Sequence, residues 1–374
     1  MALQDPVDPQ PDQSVLESMA LQDPVDPQPN QSVLESMALQ APADPQPDQS
    51  VLESMALQNP VDPQLDQSVL ESSFPVPFDE IYEVGEEIGE GGFGTVYEGI
   101  SKFLREQVAI KFIPKYETDQ YIQIPGCSKP LFAEVALNLL LKRPPLSPYI
   151  VHMLEWFEED DRYILILEYP QPCKDLLKFM VNNMQLLDES QTRSLMYQAV
   201  LGAKHCLDRG VFHRDIKLNN FLINTKTNQV KLIDFGCSDL VKSSGYLDGF
   251  TGGVCPPEYY RDSKYEAGPT TVWSLGIMMY TMVCRCQPFN SLEDMMHGSL
   301  SFNARISSEL QDLISRCLAY HPTERATIEE ILKHTWFQQG HMSGVAQDQQ
   351  MLQIGPSEEK LHKPFSRESS EQQA

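Results

Sequence analysis

The sequence predicts an α+β domain, strands first and helices after, over residues 78–338 of a 374-residue chain. Three observations predict it. Short β-branched and aromatic runs follow one another after Phe78: "TVYEGI" (95–100), "VAIK" (108–111) and "ILIL" (164–167). A glycine-rich turn, "IGEGGFGTV" (88–96), leads into the first of them. From Asp175, where "DLLKF" reads as the start of a helix, helical patterns take over, among them the most apolar stretch, "VWSLGIMMYTMVC" (272–284).

The segments outside this range have a different character. Residues 1–72 are four tandem copies of an 18-residue unit beginning "MALQDPVDPQPDQSVLES", and residues 73–77 form a linker. The unit has too few large apolar residues to bury a face, and its prolines break helices, so a disordered acidic tail is expected. A multivalent docking tail for an unknown partner is the alternative. Residues 339–374, polar and rich in Gln and Ser, are expected to be a second disordered tail. The repeats hold 13 acids and no Lys or Arg, which leaves −12 of the net −25 on the other 302 residues. Such a balance argues against a nucleic-acid or anionic-membrane surface. No stretch approaches the roughly 20 apolar residues of a membrane span, and "MALQDPVDPQ" has neither the basic end nor the apolar core of a signal peptide. Eight cysteines lie scattered between Cys127 and Cys317 without a C-x-x-C, which reads as reduced thiols in the cytosol or nucleus.

Taken in order, the elements carry a phosphate chemistry. Gly89, Gly91 and Gly94 have G-x-G-x-x-G spacing, which dinucleotide folds share. Here a strand follows instead of a helix, so the glycines belong to a hairpin whose backbone N–H groups can approach a triphosphate. Lys111 ends the next strand and would pair the α- and β-phosphates. A buried lysine needs a carboxylate, and Glu134, in the helical pattern "PLFAEVALNLLLK" (130–142), supplies one. "LEYPQP" (167–172) then places two prolines, Pro170 and Pro172, between a strand and a helix. "VFHRDIKLNNFLI" (211–223) and "KLIDFG" (231–236) carry Asp215, Lys217, Asn220 and Asp234. Asp215 suits a base for a substrate hydroxyl. Lys217 suits a cation for the transferred phosphoryl group, and Asn220 and Asp234 suit hard-oxygen ligands for Mg²⁺.

These motifs resemble the protein kinase signature, and residues 78–338 are most similar to the Pim family of serine/threonine kinases. "PPE" (256–258) stands at the A-P-E position, with Glu258 expected to pair with Arg325. "VWSLGIMMY" (272–280) resembles the central helix of the large lobe, and "HTWF" (334–337) the domain end. The resemblance implies a two-lobed protein kinase fold: a β-rich N-lobe (78–167) with the αC helix, a hinge (168–172) and a larger, mostly helical C-lobe (173–338). It implies ATP and Mg²⁺ as cofactors. ATP would meet Ile88, Gly89, Glu90, Gly91, Gly92, Phe93, Gly94, Val96, Ala109, Lys111, Glu168 and Leu222. In the Pim-like hinge, Leu167 is the gatekeeper and the Glu168 carbonyl holds adenine. The usual second donor is lost because Pro170 has no N–H.

The resemblance also implies activity without phosphorylation of the activation segment (237–257), with Asp248 expected as the partner of Arg214 and Cys237 as a small packing residue. Three departures stand out. Thr271 replaces the usual aspartate before "VWS", as in Pim kinases. Asn138, one turn after Glu134, replaces an apolar residue. Of the acids that select basic substrates, Asp175 is kept, but Lys178, Leu218 and Asn219 replace others; Glu293 and Asp294 are possible compensation. The expected protein is a monomeric serine/threonine protein kinase acting on protein substrates. The rival readings are an ATP-binding pseudokinase scaffold and an adaptor acting through the repeats.

Overall fold

The structure, a computed structural model, describes residues 76–183, 188–247, 249–250, 253–298, 300–302 and 305–338. Expectations for the repeats, the 339–374 tail and Asp248 fall outside these residues.

The small lobe is a five-stranded antiparallel sheet in the order β1-β2-β3-β7-β6. Its strands are β1 (Tyr82–Gly91), β2 (Gly94–Ser101), β3 (Gln107–Pro114), β6 (Met153–Glu158) and β7 (Arg162–Glu168). β3 and β7 read as nearly continuous apolar runs because both of their faces are covered. Val108, Ile110, Ile164 and Ile166 face outward beneath the short helix α1 (Phe78–Ile81), packing with Phe78, Tyr82 and Phe157. Ile113, Tyr163 and Leu165 face the other way, into the main core. There they meet α2 (Ala133–Leu141), which a two-residue hairpin of β4 (Tyr121–Ile122) and β5 (Leu131–Phe132) precedes. β1 is an edge strand, exposed at nine of its ten positions and carrying Glu83, Glu86, Glu87 and Glu90, charges that discourage edge-to-edge pairing.

The large lobe begins with β8 (Cys173–Asp175), which pairs with β10 (Phe221–Asn224), itself paired with β11 (Val230–Leu232). Asp175 caps α3 (Leu176–Asn182) by accepting from the Lys178 N–H. α4 (Glu189–Asp208) starts in a capping box of Asp188 and Gln191. β9 (Val211–Phe212) and β12 (Asp239–Leu240) form a two-stranded pair that ties the catalytic loop to the activation segment. Four helices follow: α5 (Pro257–Asp262), α6 (Ala267–Cys284), α7 (Leu292–Met296) and α8 (Ser308–Cys317). α9 (Ile328–Lys333) and α10 (Thr335–Gln338) end the described chain. α6 is the central helix expected from 272–284. A Cβ on its Gly276 would stand 2.7 Å from the Cys317 side chain, so glycine is what lets α8 come so close. One apolar cluster runs from Leu137, Leu139 and Leu165 of the small lobe through Phe235 to Leu176, Ile216 and Trp273 of the large one.

Candidate active site

The cleft between the lobes is organised around Lys111. Its position on β3 alternates with Val108 and Ile110, so the side chain faces inward, opposite the outer apolar layer. Lys111 Nζ lies 2.7 Å from Glu134 Oε1 and 2.7 Å from Asp234 Oδ1. Burial alone would lower the Lys111 pKa, but the two carboxylates outweigh it and hold the ammonium well above the usual lysine range. One cation serves two acids, and they respond differently. Burial pushes Glu134 up against the pull of Lys111. Asp234, which burial also opposes, is held down by Lys111 and by the Gly236 N–H. Asn138, the polar intruder on α2, donates to the Glu134 carbonyl at 2.8 Å and leaves the Lys111–Glu134 pair intact.

The catalytic loop builds the second half of the site. His213 is buried, and burial holds it below its ordinary pKa, so it is neutral. Its Nε2 donates to the Ile233 carbonyl at 3.0 Å, and its Nδ1 accepts from the Asp215 N–H at 3.3 Å. Arg214 and Asp234 both adopt positive φ, 66° and 62°, strained conformations for residues with a Cβ. Asp215 is 5 % exposed. Its Oδ2 accepts from Asn220 Nδ2 at 2.7 Å and faces Lys217 Nζ at 3.1 Å, while Oδ1 is buried without a hydrogen-bond partner. Asn220 turns its amide NH₂ to Asp215, which leaves its carbonyl oxygen outside that pairing. The donor set of Asp234 and the Asn220 amide oxygen fits a hard divalent cation, and the two acids sharing one lysine leave negative charge for it to neutralise.

The glycine hairpin joins β1 to β2. At Gly94, with φ 138°, a Cβ would sit 2.3 Å from the Phe112 carbonyl, so only glycine fits. Gly89, Gly91 and Gly92 have open space where a Cβ would project. Phe93 at the tip reaches down to Gly236, where a Cβ would stand 2.7 Å from the ring. Val96, Ala109 and Lys111 lie on adjoining strand positions, Val96 directly opposite Lys111. Ile88 and Glu90, on the hairpin's other strand, are exposed. Leu222 faces away from its buried neighbours Phe221 and Ile223.

In the hinge, Glu168 ends β7. Its carboxylate accepts from Lys231 Nζ at 2.6 Å and from the His152 N–H at 3.3 Å, and its own N–H donates to the His152 carbonyl at 3.0 Å. Leu167 precedes it, opposite Ala109.

Arg214 meets three residues of the activation segment. Its Nη2 donates to the Gly249 carbonyl at 2.6 Å, its Nη1 lies 3.8 Å from Asp239 Oδ2, and the guanidinium packs on the Tyr246 ring. Asp239, an acid the sequence reading did not name, lies beside it, and the expectation for Asp248 falls outside the described residues. Asp239 also pairs with Lys242 at 2.8 Å. Glu258 and Arg325 form the expected buried pair, with bonds of 2.8 and 2.6 Å. Thr271 spends its hydroxyl on the Ala267 carbonyl of its own helix. Cys237 is buried.

A family model described as a protein kinase domain matches residues 82–337. The chain is 40% identical over 266 residues to serine/threonine-protein kinase pim-2 of Danio rerio, a match that covers 69% of this chain and 85% of the relative. It is 32% identical over 287 residues to serine/threonine-protein kinase prk-2 of Caenorhabditis elegans, covering 75% and 64%. It is 30% identical over 271 residues to NUAK family SNF1-like kinase 1 of Mus musculus, covering 71% and 40%.

Proposed function

The chain belongs to the protein kinase family as a Pim-like serine/threonine kinase, and from that premise we propose that it transfers the γ-phosphoryl group of ATP to serine and threonine hydroxyls of protein substrates without needing a phosphorylated activation segment. One observation carries the proposal. Lys111 is already paired with both Glu134 and Asp234, and Arg214 is tied to the activation segment through the Gly249 carbonyl, with Asp239 beside it. The lysine–carboxylate pair that orients nucleotide phosphates is thus assembled in the unphosphorylated chain.

In this reading Asp215 Oδ1, buried and without a partner, accepts the proton of the substrate hydroxyl and aims that oxygen at the γ-phosphorus. Asn220 holds Asp215 in place through Oδ2, and Lys217 stands beside the same carboxylate, where it can follow charge onto the transferred group. Lys111 orients the α- and β-phosphates. Asp234 and Asn220 would hold Mg²⁺, which when bound neutralises phosphate charge. Ile88, Val96, Ala109 and Leu222 enclose the base, and Glu168 offers its carbonyl to adenine. The domain runs from Phe78 to Gln338, a monomer of the cytosol or nucleus. None of the eight cysteines is in a disulfide, and among the described residues no helix is long and apolar enough to cross a membrane.

The test is phosphoryl transfer from labelled ATP to a serine peptide. Wild type, after phosphatase treatment, should keep its rate, and Asp215→Asn should lose at least about a thousandfold. Background transfer by the wild type would favour the scaffold reading. Loss of activity on phosphatase treatment would overturn the claim of phosphorylation independence alone. Deleting residues 1–72 should leave transfer unchanged if the repeats act only as a docking tail.

A further inference from the structure

Resting on the nucleotide-binding reading, we infer that Tyr169 and Glu98 brace the hinge against β2 and are positioning residues for ATP. The Tyr169 hydroxyl donates to Glu98 Oε1 at 2.9 Å, and Gln171 Nε2 approaches the same oxygen at 3.5 Å. The partners are 71 residues apart in sequence, and neither belongs to a kinase motif.

Register explains where the bond lies. Glu98 stands directly opposite Ala109, and Ala109 directly opposite Leu167. Residues opposed in an antiparallel sheet share a face, so Glu98 projects on the side of Ala109, Lys111 and the cleft. The hinge leaves β7 beyond β3, and Tyr169 reaches back past the end of β3 to the strand on its far side. The bond therefore closes a loop: β2, β3, β7, hinge, and β2 again.

The outer strand of the hairpin is irregular: β1 is exposed almost throughout, and its pairing with β2 slips between Val84 and Glu87 and again between Glu87 and Gly89. The placement of the glycine turn therefore leans on β2, which pairs with β3 from Thr95 to Ile100. Pro170 supplies no N–H to adenine, so more of the affinity must come from the fit of the base between hinge and hairpin. A bond fixing β2 to the residue after Glu168 sets that fit before the nucleotide arrives. Burial and the Glu98 carboxylate hold the Tyr169 phenol well above its ordinary pKa, so it remains a donor throughout the assay range.

The experiment compares full-length wild type with Tyr169→Phe, Glu98→Leu, Glu98→Gln and the double variant Tyr169→Phe/Glu98→Leu. The readouts are Kd for a fluorescent methylanthraniloyl-ADP with Mg²⁺, and the ATP KM and kcat for a serine peptide. Tyr169→Phe and Glu98→Leu should each raise Kd and KM about three- to tenfold, the range for a part-exposed charge-assisted hydrogen bond, with kcat within about twofold. Glu98→Gln, which keeps an acceptor oxygen, should stay within about twofold of wild type. The double variant should be no worse than the singles, because they remove the same bond. Tyr169→Phe with unaltered Kd, or single effects that multiply in the double variant, would overturn the brace while leaving the kinase reading in place. A wild type that binds no nucleotide would overturn both.

Discussion

Substrate choice is where this chain should part from a kinase with a fully acidic groove. Asp175 is the one retained acid at the start of α3, and it is already engaged. Its Oδ1 accepts the Lys178 N–H at 2.8 Å as a helix cap, and its Oδ2 faces Lys178 Nζ at 3.1 Å. Lys178 is 76% exposed, and an exposed pair of this kind contributes about 0–1 kcal/mol. Releasing Asp175 with Lys178→Ala should therefore raise the preference for an upstream arginine by no more than about fivefold. Leu218 is buried in the main core, which leaves Asn219, exposed beside the catalytic loop, as the position where an acid would meet solvent and peptide. Glu293 and Asp294 sit in the first turn of α7, where the Asp294 N–H is capped by Ser291. Two acids at exposed positions contribute about 0–1 kcal/mol each, so Lys178→Asp/Asn219→Glu should gain severalfold, up to about thirtyfold. The assay is kcat/KM for paired peptides with Arg or Ala three residues before the acceptor. Wild type is expected to discriminate by about tenfold or less. Discrimination of several hundredfold in wild type, or no gain in the double mutant, would refute the assignment of specificity to these positions.

Three further outcomes follow from geometry already described. Restoring a hinge N–H with Pro170→Ala should lower the ATP KM roughly two- to tenfold, the effect of one neutral hydrogen bond; an unchanged KM would mean that adenine does not use that donor. Arg325→Met should cost about 3–5 kcal/mol, because Arg325 is wholly buried and its loss strands the Glu258 carboxylate, which is 3% exposed. Thermal melting should show a fall of about 6–20 °C, partly recovered by adding Glu258→Gln. Glu189 joins α4 to Ser307 and Trp336, with a 2.5 Å bond from Ser307 Oγ and a 2.7 Å bond from Trp336 Nε1. Burial would raise its pKa, but the Ser307 and Trp336 donors hold it below the ordinary value of 4.5. Its contribution is therefore present above about pH 4.5 and disappears as pH falls through the lower folded value. The difference in Tm between wild type and Glu189→Gln should be largest near pH 7 and shrink below about pH 4.5.

Lys111, Glu134, Asp215, Asn220 and Asp234 are legible in the sequence because phosphoryl transfer demands those residue types and because two short loops carry three of them. The covered strands of the small lobe are legible for a similar reason, since apolar runs such as "VAIK" and "ILIL" need both faces covered, but their order in the sheet is not. The place of Asp239 beside Arg214 is not legible. It depends on β12 pairing with β9, a contact of two residues that leaves no periodic signal. Glu98 and Tyr169 are invisible for another reason: a bond across 71 residues is written only in the register of three strands. The tyrosine in a proline-rich hinge is itself a usable signal, because a phenol placed there needs a partner once half buried.

The apolar cluster that passes from α2 through Phe235 to α6 has a thermodynamic consequence. Trp156 of the small lobe and Trp273 and Trp336 of the large one all belong to it, so every tryptophan of the chain sits in one contiguous core. Melting one lobe therefore uncovers part of the interior of the other, and loss of structure in the two lobes should be coupled, which coincident fluorescence and circular-dichroism melts would check. A ligand confined to the cleft then protects residues far from it. Nucleotide at a hundred times its Kd adds about 2.7 kcal/mol to the domain. Tryptophan fluorescence followed through thermal melting should then report the stabilisation that nucleotide provides.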